Sequence, residues 1–306
     1  MVTYILRRLL YFIPTLVAVY TLAFLLMRAA PGSPFMEEKD LPPEVLKARQ
    51  AEFYLDRPAW QQYLLYARDL VALRGHHSTR YPDRNVLWDI LVPAVPVSFT
   101  LGFFALALAL IVGTGAGVVS AARPRSLADY AAMAGALVGI SQPSFVIATV
   151  LLAVFGFCLG WLPVGGWGRP SQLVLPALAL AALPAAYIAR LVRTGMLEVL
   201  SADFIRTARA KGLGQRRVLL EHALRSAWLP VLGYLGPAAA GIFTGSFVVE
   251  KVFAVPGVGK YFVDSALHRD HPLILATVLL YAVLLVVFNL AVDVAYAWLD
   301  PRIRYD

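Results

Sequence analysis

Long uncharged stretches alternate with short charged ones along this chain. A helix crossing the roughly 30 Å hydrocarbon core of a bilayer takes about 20 mainly apolar residues. Six runs approach or exceed that length: Leu9–Met27, Val97–Ala122, Tyr130–Gly160, Leu173–Ala189, Val231–Val249 and Leu273–Leu299. None has the two-residue alternation of a membrane β-strand, so the expected class is all-α, a polytopic membrane protein with six transmembrane helices. The fourth run is the shortest, and its Pro176 and Pro184 predict a kinked or partly broken helix. Gln142, Pro143 and Ser144 interrupt the third run, and Gly233, Gly236, Gly241, Gly245 and Ser246 punctuate the fifth. The glycines read as close helix packing. Gln142, Ser144 and Ser246 are candidates for lining a polar translocation path, and for Gln142 packing is an equal alternative.

Two polar segments stand apart from these runs. Pro31–Pro96 is rich in proline, mixed in charge and helical in pattern around Trp60–Leu73, long enough for a small structured cap beside the membrane. The other reads "DFIRTARAKGLGQRRVLLEHALRSAWLP", residues 203–230. Its pattern predicts a short helix over Ala202–Lys211, with Asp203 in the first turn, Arg209 and Lys211 in the last, and Gly212 as the stop. A second helix is predicted from about Gln215. There Leu220, Ala223, Leu224, Ala227, Trp228 and Val231 share one face, while Arg217, Glu221 and Arg225 form i, i+4 pairs on another.

Composition agrees with a lipid environment: the 306 residues are 59% hydrophobic and 15% charged, against about 25% charged in ordinary soluble domains. The net charge of +8 follows from topology. Arg7, Arg8, Arg123, Arg125, the basic residues from Arg190 to Arg225, Arg302 and Arg304 fall on one side if both termini face the cytoplasm, the side that favours Lys and Arg. Nucleic acid is then not needed to explain the charge. The first run is longer than the core of a cleaved signal, about 7–15 residues, so an uncleaved first span is expected. Cys158, the single cysteine, excludes an internal disulfide and a thiolate metal site and is expected to serve packing.

The residues for catalysis are not assembled. His76, His77, His268 and His271 fall in expected outer loops, and His222 lies on the inner helix without a cysteine or second histidine nearby. No glycine-rich loop followed by Lys-Ser or Lys-Thr is present, so ATP binding by this chain is not expected. Asp293, four residues after Asn289 in the last run, is the ionisable residue that stands out at membrane depth. A proton pathway is one reading, and a proton-driven secondary transporter would rest on it. The preferred reading is a structural polar contact involving Asn289 and Asp293, with Arg190 or Arg193 as partner.

From "RTARAKGLGQRRVLLEHALRSAWLP" onward the chain resembles the cytoplasmic signature loop of binding-protein-dependent ABC importer permeases of the peptide and nickel branch. The general pattern places an acidic residue and two alanines ahead of a glycine; Arg206, Thr207, Ala208 and Gly212 hold those places here. Arg206 for the acid, and the long interval from Gly212 to Pro230, are features of that branch. "PGSPF", "LPPEV", "LDRPAWQQY", "QPSF", "GWLPVGG", "VEKVFAVPGVGKYFVDSALHRDHPLI" and "NLAVDVAYAWLDPRIRY" extend the likeness over nearly the whole chain, and the outer stretches look most like oligopeptide permeases of the B type. The resemblance implies a type I importer membrane domain over 94–300, preceded by a first helix and extracytoplasmic segment over 1–93 and followed by a cytoplasmic tail, in a bacterial inner membrane. It implies a second homologous permease, two ABC ATPase subunits that bind the ATP, and an extracytoplasmic peptide-binding protein as partners, with membrane lipid around them. Within 202–212, it implies a coupling helix seated in an ATPase cleft. Phe204, Ile205 and Ala208 would give apolar contact, Arg206, Arg209 and Lys211 polar contact, and Gly212 the turn.

Overall fold

The computed structural model describes residues 2–31, 35, 42–245 and 247–299, with backbone alone for 2–9, 244–245 and 292–299. Among these residues the architecture is helical, without a β-ladder. The helices are α1 (Val2–Ala29), α2 (Pro43–Glu52), α3 (Ala59–Val71), α4 (Val92–Ala122), α5 (Leu127–Ser141), α6 (Ser144–Leu151), α7 (Pro170–Leu200), α8 (Asp203–Ala210), α9 (Gln215–Arg217), α10 (Leu224–Ala227), α11 (Leu229–Gly245), α12 (Phe247–Val252), α13 (Val258–His268) and α14 (His271–Leu299). Wider π-type turns lead into α4 (Val86–Leu91), continue α6 (Leu152–Cys158) and join α9 to α10 (Val218–Ala223). Four stretches are long and apolar enough to cross a membrane: Leu10–Ala29, Val86–Ala122, Pro170–Leu200 and His271–Ala291. Two further helix pairs qualify only when each bent pair is taken as one span, making six.

The breaks fall elsewhere than the prolines of the fourth run suggest. α7 runs unbroken for 31 residues with Pro176 and Pro184 inside it, whereas the third run turns by 113° between Ser141 and Ser144. Pro143 caps α6, and Gln142 before it is extended (φ −104°, ψ 134°), the conformation that a following proline favours. At 15 residues, α5 rises only roughly 22 Å. In α7 each proline deletes one backbone hydrogen bond, but α5, α6, α10 and α11 pack against the helix. Small side chains permit that approach. A Cβ on Gly113 would lie 2.6 Å from the Ala185 carbonyl oxygen, and one on Gly117 2.7 Å from that of Ala189. The Gly-x-x-x-Gly spacing therefore seats α4 directly on the α7 backbone; of the fifth-run glycines expected to pack closely, Gly241 has open space around it.

The chain forms two compact units. One comprises Met1–Val97 with Pro256–Val286. Its core joins Val86, Ile90 and Leu91 to Val258, Leu273 and Ala276, and Tyr20 and Phe24 of α1 to Tyr66 of α3 and Leu275 of α14. Within it α2 and α3 give the expected cap regular structure. Asp69 accepts hydrogen bonds from the Tyr54 hydroxyl (3.0 Å) and the Arg68 guanidinium (3.0 Å) and lies 2.8 Å from His76 Nε2. Burial pushes the Asp69 carboxyl up, but the bonds from Arg68, His76 and Tyr54 outweigh it and hold the group below the ordinary carboxylate range. Asp270, fully buried, takes hydrogen bonds from the Ser78 hydroxyl and from the amides of Arg80 and Leu273.

The other unit comprises Ser98–Val255 with Val287–Asp306. Its largest apolar cluster runs from Ala109 and Ala181 to Val192 and Met196 of α7 and on to Ile205, Ala223 and Val231. Buried Glu250 accepts a hydrogen bond from Ser98 Oγ at 2.8 Å. The Gly166 amide bonds to the Phe253 carbonyl at 2.8 Å, joining two of the motif stretches, "GWLPVGG" and "VEKVFAVPG". Cys158 is exposed rather than packed.

Candidate functional site

An isolated helix of eight residues is not stable in water, so something must hold α8. The sequence supplies caps first. Ala202 is extended (ψ 153°) at the N-terminus, Asp203 sits in the first turn, and Lys211 closes the C-terminus. Gly212 then takes φ +76°, the left-handed conformation that costs glycine least, and the Leu213 amide reaches back to the Ala208 carbonyl at 3.3 Å. The expected helix over 202–211 is thus a helix over 203–210 with its first and last expected residues as caps.

Packing supplies the rest. Ile205 and Ala208, at i and i+3, face inward, with 0% and 7% of their surfaces exposed. They lie in one cluster with Val192 and Met196 of α7 and with Val218, Ala223 and Ala227 of the following helices. Burying an isoleucine is worth about 1.5–3 kcal/mol, and Ile205 spends its whole side chain on this chain's own core. The apolar contact expected of Ile205 and Ala208 toward another protein is therefore made inside the molecule. Phe204 is 50% exposed, and Arg206, Arg209 and Lys211 are exposed beside it. Arg206 forms an ion pair with Asp203 on the surface. The short helix presents an aromatic ring among cations on one face and an anchor on the other.

The elements behind the anchor are stiff. In the π-type turn Val218–Ala223 each turn takes about one residue more than in an α-helix, which brings Val218 inward and leaves Leu220 exposed, opposite to the face expected for Leu220. Ala223, Ala227 and Val231 remain inward as expected, and Arg217 and Glu221 pair at 2.7 Å. α7 and α10 approach at Gly195, where a Cβ would sit 3.2 Å from Ala227. α7 is tied to α5 by a two-pronged ion pair. Arg193 Nε reaches Asp129 Oδ1 at 2.8 Å, and a terminal nitrogen reaches Oδ2 at 3.0 Å. Ser120 Oγ and the Arg125 amide donate to the same carboxylate, while Ser126 caps α5 by accepting from the Asp129 amide at 3.3 Å. Asp129 carries no signal in the sequence beyond the spacing Ser-x-x-Asp at a helix start.

The remaining candidates do not form one group. Gln142 is exposed and Ser144 half-buried at the bend between α5 and α6. Ser246 and the side chain of Asp293 lie outside the described residues, Asn289 is half-buried and Arg190 is exposed. Arg193, one of two partners considered for Asp293, pairs with Asp129. Among the described residues no three His, Cys, Asp or Glu side chains gather as a metal site requires.

Known proteins place this arrangement in context. The family model for the binding-protein-dependent transport system inner membrane component matches residues 113–305. The oligopeptide transport system permease protein OppB of Haemophilus influenzae is 46% identical over 307 residues, covering 100% of both chains. The dipeptide transport system permease protein DppB of Bacillus subtilis is 44% identical over 304 residues, 99% of this chain and 98% of its own. Among solved structures, an inward facing conformation of the MetNI methionine ABC transporter superimposes with a TM-score of 0.57 at 19% identity, over 69% of this chain and 96% of that one, a likeness of fold alone.

Proposed function

The chain belongs to the family of binding-protein-dependent transport system inner membrane components, and from that premise we propose that it is a permease subunit of an ATP-driven peptide importer whose coupling element is α8. Its multi-pass helices, with each bent pair counted as one span and both termini cytoplasmic, form the translocation path with a second permease in a bacterial inner membrane. A peptide-binding protein delivers cargo from outside, and two ABC ATPases bind the nucleotide. The peptide class rests on the named roles of the oligopeptide and dipeptide relatives.

The observation that carries the reading is the two-faced build of α8. Phe204, Arg206, Arg209 and Lys211 face out, so a cleft on another protein can grip them. Ile205 and Ala208 are locked to α7 and to the helices after Gly212, so a displacement of α8 cannot be absorbed locally. Gly195 and the Asp129–Arg193 pair then pass it to neighbouring helices. Work is transferred only if the grip differs between nucleotide states, and a rigid two-faced rod permits that.

The test is the Phe204→Asp variant, reconstituted in vesicles with its partner subunits and supplied with ATP inside and labelled peptide with binding protein outside. An anchor residue of this type is worth about 2 kcal/mol, so uptake is expected to fall roughly 30-fold, with membrane insertion and thermal unfolding unchanged. Wild-type uptake by this variant rejects the coupling role.

A further inference from the structure

Helix α3 is built inside out. On the surface of a soluble domain an amphipathic helix buries its apolar face and wets its polar one, but here Gln62, Tyr66 and Asp69 point inward, with 4%, 1% and 5% of their surfaces exposed. Their polar atoms are satisfied there: Gln62 Nε2 donates to the Arg57 carbonyl, the Tyr66 hydroxyl donates to the Phe53 carbonyl, and Asp69 accepts from Tyr54 and Arg68. The opposite face carries Trp60, Leu64 and Val71, at i, i+4 and i+11, with 63%, 55% and 86% exposed. Leu73 and Trp88 extend this stripe and are exposed as well, and the Trp88 indole N–H donates to the Leu73 carbonyl at 3.1 Å. A contiguous apolar face of this kind marks an interaction surface. Its depth points to what covers it. The Tyr63 hydroxyl, on the same helix, lies 2.8 Å from Thr21 Oγ1, and the Tyr20 hydroxyl donates to the Tyr63 carbonyl at 2.7 Å. Thr21 is inside the apolar stretch Leu10–Ala29, roughly 12 Å by helical rise short of its end. α3 is therefore docked on α1 at the level where Leu22, Leu25 and Leu26 of α1 are themselves more than half exposed. The stripe also runs into the long apolar helices without a polar break: a groove of about 440 Å³ is lined by Val71 and Leu73 together with Val17 of α1, Val92 of α4 and Val283 of α14, and by no charged residue.

We propose that α3 is a membrane-interface helix, lying along the leaflet in which α1 ends, with Trp60, Leu64 and Val71 set into lipid and Gln62, Tyr66 and Asp69 fastened to the cap. Lipid is the occupant that the contacts favour. A soluble protein would have to reach a stripe that lies below the end of α1, whereas hydrocarbon already surrounds the exposed leucines of α1 at that level. Trp60 and Trp88, at the two ends of the stripe, suit the boundary between headgroups and acyl chains, where an amphipathic ring keeps one edge wet. A helix of this type settles about 5–10 Å into that boundary. The cap is then pinned to the bilayer surface along α3. The inference needs only that the chain resides in a membrane and is independent of the transport reading.

The experiment attaches a fluorophore to single cysteines in the full-length chain, in a Cys158→Ser background, reconstituted in phosphatidylcholine vesicles. Leu64→Cys and Val71→Cys report on the stripe, Leu25→Cys on α1 is the lipid reference, and Lys47→Cys on the polar helix α2 is the water reference. Spin-labelled acyl chains should quench both stripe positions as they quench Leu25→Cys. Iodide should quench them at least about fivefold less than Lys47→Cys, as burial of about 5–10 Å requires. Adding the second permease, the ATPases and the binding protein should leave the quenching by lipid in place. Iodide quenching equal to that of Lys47→Cys, or loss of lipid quenching once the other proteins are added, overturns the proposal. Should the variants fail to fold, hydroxyl-radical labelling of wild type in the same vesicles decides. Trp60 is 63% exposed, so a ring facing water is protected less than about twofold relative to the unfolded chain, whereas a ring covered by lipid is protected about fivefold or more.

Discussion

The two polar segments of this chain treat their charges in opposite ways. Around α3, Asp69 is folded inward and satisfied by Tyr54, Arg68 and His76, and Asp270 by Ser78 and two amides. Around α8, Arg206, Arg209 and Lys211 stay in solvent while the apolar residues Ile205 and Ala208 go in. The first segment satisfies Asp69 with its own side chains and Ser78 with Asp270 from the start of α14. The second is held by its apolar side and offers its polar side outward. A buried, paired charge maintains shape, whereas cations and a half-exposed ring on an anchored rod make a surface for a partner.

Reversing that disposition at α8 should have the largest effect. Ala208→Asp puts a carboxylate into the cluster of Met196, Val218 and Ala227, and an unpaired buried charge costs upward of about 3 kcal/mol. Loss of accumulated protein in the membrane fraction is the expected outcome, in contrast to Phe204→Asp, which should be present and stable but inactive. The two substitutions introduce the same side chain on opposite faces of one helix. If they behave alike in abundance, the inward-outward distinction fails.

Much of this contrast is legible in the linear pattern, and the exceptions have physical causes. α8 and its stop at Gly212 follow from local signals, a charged first turn, a basic last turn and glycine. Which face is inward does not, because eight residues hold too few apolar positions to outvote alternatives, and Phe204 is as apolar as Ile205. The bend at Gln142–Pro143 and the unbroken course of α7 through Pro176 and Pro184 look alike in sequence, since each is a proline in an apolar run. Neighbouring helices decide between them. The Asp129–Arg193 pair joins residues 64 positions apart, beyond any periodic signal, and the π-type turn at Val218–Ala223 shifts the register by an increment that a 3.6-residue reading does not contain.

On the other side of the comparison, the charge of Asp69 should confer stability that depends on pH. Its folded value lies below the ordinary one, so the stabilisation is complete above the unfolded carboxylate value of about 3.9. It is lost as pH falls through the folded value. Amide hydrogen exchange within Pro43–Val71 is the measurement. Protection in wild type should drop as pH is taken from neutral to below about 4, after correction for the intrinsic exchange rate. Asp69→Asn should start less protected at neutral pH and lose little more. A wild-type profile as flat as that of the variant would mean that the inward charge does not hold this segment.

The smallest expected effect concerns the hinge between anchor and lever, and it separates shape from contact. Gly212 has no heavy atom within 4 Å of where a Cβ would stand, so a side chain there meets no steric obstacle. The cost is the torsion alone, φ +76°, and a non-glycine residue in the left-handed region costs roughly 1–2 kcal/mol. Asparagine tolerates that region better than alanine, and a β-branched residue tolerates it least. Stability of the full chain in thermal unfolding should therefore rank Gly above Asn, Asn above Ala, and Ala above Val. Uptake should follow the same order because the turn sets the angle between α8 and the helices that follow it and pack against its inner face. If Gly212→Ala and Gly212→Val are indistinguishable from wild type in unfolding yet lose uptake, the position acts through contact with a partner and not through the backbone conformation. If both readouts are unchanged, the turn is not what aims the rod.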